Sequence, residues 1–301
     1  MIKIDLITGF LGSGKTTFLK KYITYLKSIG EKVCVIENDF GAINVDTMLI
    51  NDFGCDIETV QGGNDYDCHM RRFKTKLIQI ALMGYTRVVV EPSGIFDTDL
   101  FFDSLYEEPI SNWYNIGNIF CIYDIFTKDL SDNSEYIFVS EASCASKIIV
   151  SKRDKRNLSI NLDYINNIMK KFKSSRIFTS NDIVYNDDLD FDTLINASYV
   201  EASHIKLQVI NDNNFDTLYI MDKKLNLDDI NFLKDELLNS NNYGNVLRIK
   251  GFIFNDNCWH QVNFTKEDNL VEKIKVGQDV VIVIGENLEK DKILNLIEKN
   301  K

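Results

Sequence analysis

Residues 9–17 read GFLGSGKTT, and this glycine-rich stretch decides the fold. It follows an apolar run at 2–7 and precedes a helix-patterned segment at 18–26. That is the strand, loop and helix order of a phosphate-binding loop. Backbone amides of such a loop and the positive end of the helix dipole together form an anion site. The alternative is a glycine turn before a surface helix, which needs neither a lysine nor a hydroxyl at these positions.

The polar residues of this loop have expected roles toward a nucleoside triphosphate. Lys15 is expected to reach the β- and γ-phosphates, and the Thr16 hydroxyl to ligate Mg²⁺. The predicted nucleotide-binding residues of the loop are Gly12, Ser13, Gly14, Lys15, Thr16 and Thr17. Lys15 is also the first predicted catalytic residue, because its charge stabilises the transferred phosphoryl group.

Bulk composition limits the partners of the chain. Its 301 residues are 45% hydrophobic and carry a formal charge of -11. Acidity on this scale argues against broad binding to nucleic acid or to anionic lipid. No apolar run is long enough to span a bilayer, and we expect a cytoplasmic protein with no membrane partner. The six cysteines lack C-x-x-C spacing and are expected to be free thiols.

Strand and helix patterns alternate along the first two thirds of the chain. This alternation predicts an α/β fold, a P-loop NTPase domain with a mostly parallel sheet over residues 1–198. Its closing strand is predicted at 176–179. A small C-terminal α+β domain with an antiparallel sheet is predicted over 204–301.

A carboxylate follows the buried strand predicted at 87–90. The chain continues there as Glu91-Pro92-Ser93-Gly94. The carboxyl end of such a strand faces the crevice where ligands bind in an open α/β sheet. Glu91 is therefore predicted to hold Mg²⁺ directly or through water, and the Gly94 amide to meet the γ-phosphate.

Two further polar segments leave alternatives open. Asp39 and Asp46 lie in a segment that is either a switch handling metal and water or a solvated turn. Asp67, Cys68 and His69 crowd together after two glycines, and they are either metal ligands or a turn into the next helix. Asp39, Asp46 and Glu91 are the predicted water-positioning residues.

The strand predicted at 147–150 ends in Ser151-Lys152-Arg153-Asp154. A carboxylate at Asp154 can accept two hydrogen bonds from guanine, whereas adenine offers no such pair of donors. Lys152 would lay its methylene stem along the base. We therefore predict that guanine is bound by Ser151, Lys152 and Asp154. The alternative is a charged turn after the strand, which is common for a segment of four residues.

As a set, these motifs resemble those of the CobW-like GTPases, relatives of the urease and hydrogenase maturation GTPases. The resemblance rests on the loop at 9–17, Glu37 to Gly41 with Asp46, the segment 91–94 and the segment 151–154. The stretch 248–252 resembles the small second domain of that family. The resemblance implies a GTPase that delivers a metal or metal cofactor to a client metalloprotein, with nucleotide-linked dimerisation.

Two departures from the family pattern stand out. Ser151 replaces the usual Asn of the guanine motif, and the usual C-x-C-C after the position of Gly63 is absent. The family resemblance places a metal ligand at Glu37. Glu37, Asp67, Cys68 and His69 are the substitute set that we predict for Zn²⁺ or Co²⁺. A phosphate-loop small-molecule kinase and a GTP-binding regulatory module with negligible turnover are the alternative functions.

Overall fold

The computed structural model describes residues 1–39, 54–61, 66–94, 98–128, 130–153, 158–205, 215–221, 223–266, 268–275 and 277–299. At positions 38, 39, 61, 66, 67, 99, 100 and 299 it describes the backbone only. The chain divides into two compact units, Met1–Leu207 and Gln208–Lys301. The domain ranges given above, 1–198 and 204–301, stay a prediction.

The first unit alternates strands with helices, as the apolar periodicity predicts. Its strands are β1 Ile2–Thr8, β2 Val33–Asp39, β3 Asp56–Gln61, β4 Arg87–Pro92, β5 Tyr114–Asp124, β6 Lys147–Ser151 and β7 Ile183–Tyr185. Its helices are α1 Lys15–Ser28, α2 Tyr66–Ala81, α3 Asp99–Tyr106, α4 Asp132–Ser143, α5 Leu162–Lys171 and the short α6 Phe191–Leu194.

The seven strands form one sheet in the order β3-β2-β4-β1-β5-β6-β7. Every pairing recorded in it is parallel. The predicted mostly parallel α/β sheet is therefore confirmed. Because parallel strands end at one edge of a sheet, the carboxyl ends of β1, β2, β4 and β6 lie at the same edge. This edge collects the residues of the candidate site.

Helix α1 is fixed to the sheet by its apolar face. Phe18, Tyr22 and Leu26 are buried and belong to one core cluster with sheet residues such as Phe120. The rings of Phe18 and Phe120 meet edge to face, with centroids 5.5 Å apart. This packing fixes the start of α1, and hence the loop before it, against the centre of the sheet.

The closing strand predicted at 176–179 is wrong in position. Thr179 accepts a hydrogen bond from Asp182 and donates one back, a capping box over the short 3-10 turn Ser180–Asp182. Arg176 pairs with the same Asp182 carboxylate at 3.0 Å. These side-chain bonds turn the chain first, and the strand begins at Ile183.

The second unit contains a five-stranded antiparallel sheet in the order β11-β10-β9-β12-β8. Its strands are β8 Asp216–Met221, β9 Asn245–Asn255, β10 Cys258–Phe264, β11 Asn269–Ile274 and β12 Val280–Glu286. Its helices are α7 Leu227–Asn239 and α8 Lys290–Lys299. Apolar residues of both helices share a core with the sheet, so a small α+β unit is confirmed. No helix in the described part of the chain is long and apolar enough to cross a membrane.

Candidate nucleotide-binding site

The glycine-rich loop leaves β1 after Thr8 and turns tightly against β5. Gly9 has a φ of 138°, a backbone conformation that residues with a side chain rarely adopt. A Cβ at this position would lie 2.3 Å from the carbonyl oxygen of Ile122. The loop then caps α1 at Gly14, which has a left-handed conformation. Its backbone therefore runs around the N-terminus of a 14-residue helix, as an anion cradle requires.

Lys15 is the first residue of α1 and is only 7% exposed. Its ammonium donates to the Gly9 carbonyl at 2.6 Å and to the Phe10 carbonyl at 3.3 Å. The loop thus encloses the Lys15 ammonium, which is largely shielded from solvent. A positive charge at this position interacts with phosphate oxygens more strongly than one on the surface.

Thr16 and Glu91 are brought together from positions 75 residues apart. The Thr16 hydroxyl donates to the Glu91 carboxylate at 2.8 Å. Glu37 on β2 is the register partner of Glu91 on β4, and both carboxyl groups are buried. Register partners in a parallel pair project to the same face of the sheet. Two carboxylates and a hydroxyl therefore lie near one edge, and these hard oxygen donors fit Mg²⁺.

Gly94 follows β4 and approaches the glycine-rich loop closely. A Cβ at Gly94 would lie 2.6 Å from the Leu11 nitrogen and 2.9 Å from the Lys15 ammonium. No side chain fits there without displacing backbone. The segment that carries Glu91 is thus packed directly on the loop that carries Lys15.

Ser151, at the end of β6, is bonded to the same loop. Its hydroxyl donates to the Ser13 carbonyl at 2.5 Å and to the Tyr123 carbonyl at 3.3 Å. Both contacts are buried. The short serine side chain therefore still bonds the phosphate loop, although asparagine is usual at this position of the guanine motif.

Lys152 is held in an unusual backbone conformation with a φ of 57°. Its ammonium forms an ion pair with Asp124, the last residue of β5, at 2.9 Å. Asp154, the predicted guanine acceptor, lies outside the described residues. The structure places the segment before it beside the loop, since Ser151 contacts Ser13.

Several predicted residues are only partly described. Asp46 and the side chains of Asp39 and Asp67 lie outside the described part of the chain. Cys68 and His69 lie in the first turn of α2, where His69 is buried and Cys68 is half-buried. Neighbouring helical residues project about 100° apart. Among the described residues, no group of three or more His, Cys, Asp or Glu side chains could hold a metal ion, so the transition-metal set stays a prediction.

Glu141 in α4 lies against the loop, and sequence reasoning missed it. Its side chain is fully buried, and both the Lys15 charge and the Gly9 amide act on its carboxyl group. The only available signal was a single acid in the mostly apolar stretch 136–142. Periodicity does not distinguish such an acid from one on a solvated helix face.

Comparison with known proteins identifies the family. The model for CobW/HypB/UreG, nucleotide-binding domain, matches residues 3–180, more than half of the chain. The chain belongs to this family. The matched region spans the phosphate loop, the Glu91 strand and the segment after β6, which confirms the resemblance stated from the motifs.

Two curated relatives from Escherichia coli (strain K12) match the chain. The zinc chaperone YjiA is 28% identical over 160 residues, which cover 51% of this chain and 50% of that protein. The zinc chaperone YeiR is 28% identical over 158 residues, which cover 52% and 48%. The matched part of the chain thus spans about half the length of these curated relatives.

The chain is also similar to proteins whose structures have been solved. One is the Zn(II)-bound YjiA GTPase from E. coli, with a TM-score of 0.44 and 20% identity over 100% of this chain and 99% of that one. The hydrogenase maturation factor HypB from Archaeoglobus fulgidus has a TM-score of 0.40 and 15% identity, covering 65% and 85%.

Proposed function

We propose that this chain is a Mg²⁺-dependent GTPase that hydrolyses GTP to GDP and phosphate. The contact that carries this proposal is the hydrogen bond from Thr16 to Glu91 beside Lys15. It joins the helix that follows the phosphate loop to a carboxylate at the end of a neighbouring strand, which is how phosphate-loop hydrolases bind their metal. Family membership over residues 3–180 supports the same conclusion.

The mechanism requires little covalent chemistry. Thr16 and Glu91 would hold Mg²⁺, which would supply positive charge to neutralise the β- and γ-phosphates. Lys15, the loop amides and the Gly94 amide bind the oxygens of the transferred group, whose negative charge spreads during transfer. Asp39, Asp46 or Glu91 positions the attacking water. Ser151 keeps the loop in place through the Ser13 carbonyl.

Guanine preference is proposed for Asp154, with Lys152 along the base. The Lys152 ion pair with Asp124 supports this proposal because it fixes the start of the segment that leads to Asp154. A carboxylate that accepts from two guanine donors would be left without partners by adenine. GTP is therefore the proposed substrate, and GDP and phosphate are the products.

Alanine at Thr16 tests the hydrolase proposal. We expect the wild type to release phosphate from GTP, but not from ATP, and only when Mg²⁺ is present. Thr16→Ala should lower this Mg²⁺-dependent turnover roughly 100-fold, because a metal ligand is lost at the reacting phosphates. The measurement is phosphate release across a Mg²⁺ titration with each nucleotide.

Thr24→Ala is the matched control for this test. Thr24 lies on the same helix, is exposed, and donates only to the Lys20 carbonyl in the preceding turn. Its loss should leave turnover unchanged. Equal Mg²⁺ dependence in the wild type and in Thr16→Ala would refute the proposed metal site. Tight GTP binding without phosphate release would instead identify a regulatory module.

We further propose that the nucleotide state controls delivery of a metal to a client metalloprotein in the cytoplasm. The names of the relatives YjiA and YeiR, both zinc chaperones, support a metal cargo. The six cysteines form no disulfide with one another in the described structure, as in a reducing compartment. The proposed cargo ligands are Glu37, Asp67, Cys68 and His69, and the proposed ions are Zn²⁺ and Co²⁺. We also propose that the chain forms a homodimer in one of its nucleotide states.

Metal titration of Cys68→Ser tests the cargo site. The wild type should bind about one equivalent of Co²⁺ with a thiolate charge-transfer band, since Cys68 would supply the soft ligand. Cys68→Ser should lose the band, and Cys144→Ser, which alters another half-buried cysteine, should keep it. A band that survives in Cys68→Ser would place the metal elsewhere.

A further inference from the structure

Glu141 carries an acidic group that the proposed hydrolysis does not use. It lies in α4, its relative exposure is 0%, and neither carboxyl oxygen makes a hydrogen bond of full geometry within the described residues. The Gly9 amide faces the carboxyl group without completing such a bond. A buried acid without hydrogen-bond partners is costly for a fold unless it is neutral.

The position of Glu141 is fixed relative to the phosphate loop. The Thr8 hydroxyl, one residue before the loop, donates to the Glu141 backbone carbonyl at 2.9 Å and to the Phe120 carbonyl at 3.2 Å. Helix α4 is thereby joined to the last residue of β1. A change of charge on Glu141 therefore occurs next to the loop that is proposed to bind phosphate.

Two ionisable groups of the described structure act on Glu141 from the elements around it. They are the Lys15 ammonium on α1 and the Cys121 thiol on β5. Two uncharged groups also face Glu141, the Thr8 hydroxyl at the end of β1 and the Gly9 amide of the loop. Burial raises the pKa of Cys121, with the Glu141 charge as a smaller cause, so this thiol stays neutral at physiological pH.

Desolvation decides the charge of Glu141. Burial raises the pKa of its carboxyl group well above the ordinary value, and the opposing effects of the Lys15 charge and the Gly9 amide are smaller. Below that pKa the group is neutral, and as the pH rises through it the group becomes an anion. An anion there would repel a polyphosphate and compete with it for Lys15.

We propose that Glu141 is a positioning residue of the phosphate loop that acts in its neutral form and couples polyphosphate binding to a proton. The inference deepens the proposed nucleotide function and depends on it. The bound phosphates disfavour the ionised carboxylate, so binding at a pH where Glu141 is ionised takes up a proton from solution. Affinity for nucleotide therefore falls as the pH rises.

Glu141→Gln separates this role from a structural one, because glutamine has the same shape and stays neutral. GDP and pyrophosphate affinities are measured from about pH 7 to pH 9 for both proteins, so the titration of each probe cancels in the comparison. The wild-type affinity should fall about tenfold more than that of Glu141→Gln across this range, as for a carboxyl pKa that differs by one unit between the free and the bound protein.

Calorimetry in two buffers of different ionisation enthalpy gives a second measurement. The wild type should take up a fraction of a proton on binding GDP, and Glu141→Gln should take up less. The wild-type proton uptake still decides the question if the variant does not fold. Identical pH profiles, or no proton uptake by the wild type, would overturn the role of Glu141. Absence of GDP and pyrophosphate binding to both proteins at every pH would instead overturn the nucleotide function.

Discussion

Lys15→Ala is expected to lower GTP turnover on the order of 100- to 1,000-fold, the largest effect on activity that the structure indicates. The Lys15 ammonium lies within the loop, 7% exposed, and donates to the carbonyls of Gly9 and Phe10. It is thus placed to exchange these carbonyls for phosphate oxygens. Its charge matters most while negative charge spreads over the transferred group, and the low local dielectric strengthens that interaction.

Single-turnover phosphate release and GDP affinity together measure this effect. Turnover should fall much more than GDP affinity, because the proposed contact of Lys15 with the γ-phosphate is absent in GDP, where only the contact with the β-phosphate is left. Lys15→Arg should recover only part of the loss, since the planar guanidinium cannot replace a compact ammonium within so tight a loop.

Lys21→Ala is the matched control on the same helix. It removes the same charge from α1, but Lys21 is exposed, and its ammonium lies 3.3 Å from the Asn186 side-chain oxygen. Solvent screens such a contact, so turnover should stay within about twofold of the wild type. Wild-type turnover in Lys15→Ala, or equal losses in both variants, would contradict the proposed site.

The fold of the first unit was largely predictable because its signals are local. The apolar run at 2–7 leads directly into the loop at 9–17, which contains three glycines, Lys15 and two threonines. The β-branched run at 87–90 is typical of a buried parallel strand. Such patterns depend on neighbours in sequence. They therefore predicted β1, α1 and β4, and hence a parallel sheet with its ligand edge after these strands.

Elements fixed by side-chain bonds or lying on a sheet edge were harder to predict. The strand predicted at 176–179 failed because Asp182 caps a turn through Thr179, a contact that apolar periodicity does not record. Strand β11, Asn269–Ile274, was missed because it is an edge strand with four of its six residues exposed. A strand without a buried face has no clear alternation of apolar and polar residues.

Within the candidate site, sequence patterns single out individual residues but not the contacts between them. The hydroxyl of Ser151 reaches the Ser13 carbonyl across 138 positions of sequence, and no pattern in either segment indicates that bond. Glu141 gives still less signal, because a glutamate in a helix normally lies in solvent. Only the fold places it against Gly9 and Lys15.

A buried ionic network stabilises the first unit. The Asp5 carboxylate accepts two hydrogen bonds from Arg87, at 2.5 and 3.0 Å, and one from the Asn118 amide at 2.6 Å. The Tyr22 hydroxyl donates to it at 2.9 Å. Burial raises the pKa of this hydroxyl, which therefore stays protonated and remains a donor. Asp5 and Arg87 are both fully or almost fully buried.

Arg87→Met should lower the free energy of unfolding by about 3–5 kcal/mol, since it leaves the Asp5 charge buried without its cation. Urea unfolding followed by tyrosine fluorescence and circular dichroism measures the change. Combining it with Asp5→Asn should recover at least half of the loss, because the double variant contains no unpaired charge. The asparagine oxygen can still accept from the Asn118 backbone amide, while its NH₂ group takes the place of the carboxylate oxygen that faced the Tyr22 hydroxyl.

Lys74→Ala is the surface comparison for this prediction. Lys74 pairs with Glu107, which is 56% exposed, so breaking that pair should change the unfolding free energy by less than about 1 kcal/mol. Both pairs join a cation to a carboxylate, but only the Arg87–Asp5 pair is shielded from solvent. If Arg87→Met were no more destabilising than Lys74→Ala, or if the double variant were less stable than Arg87→Met, the Asp5 charge would not be the cause of the loss.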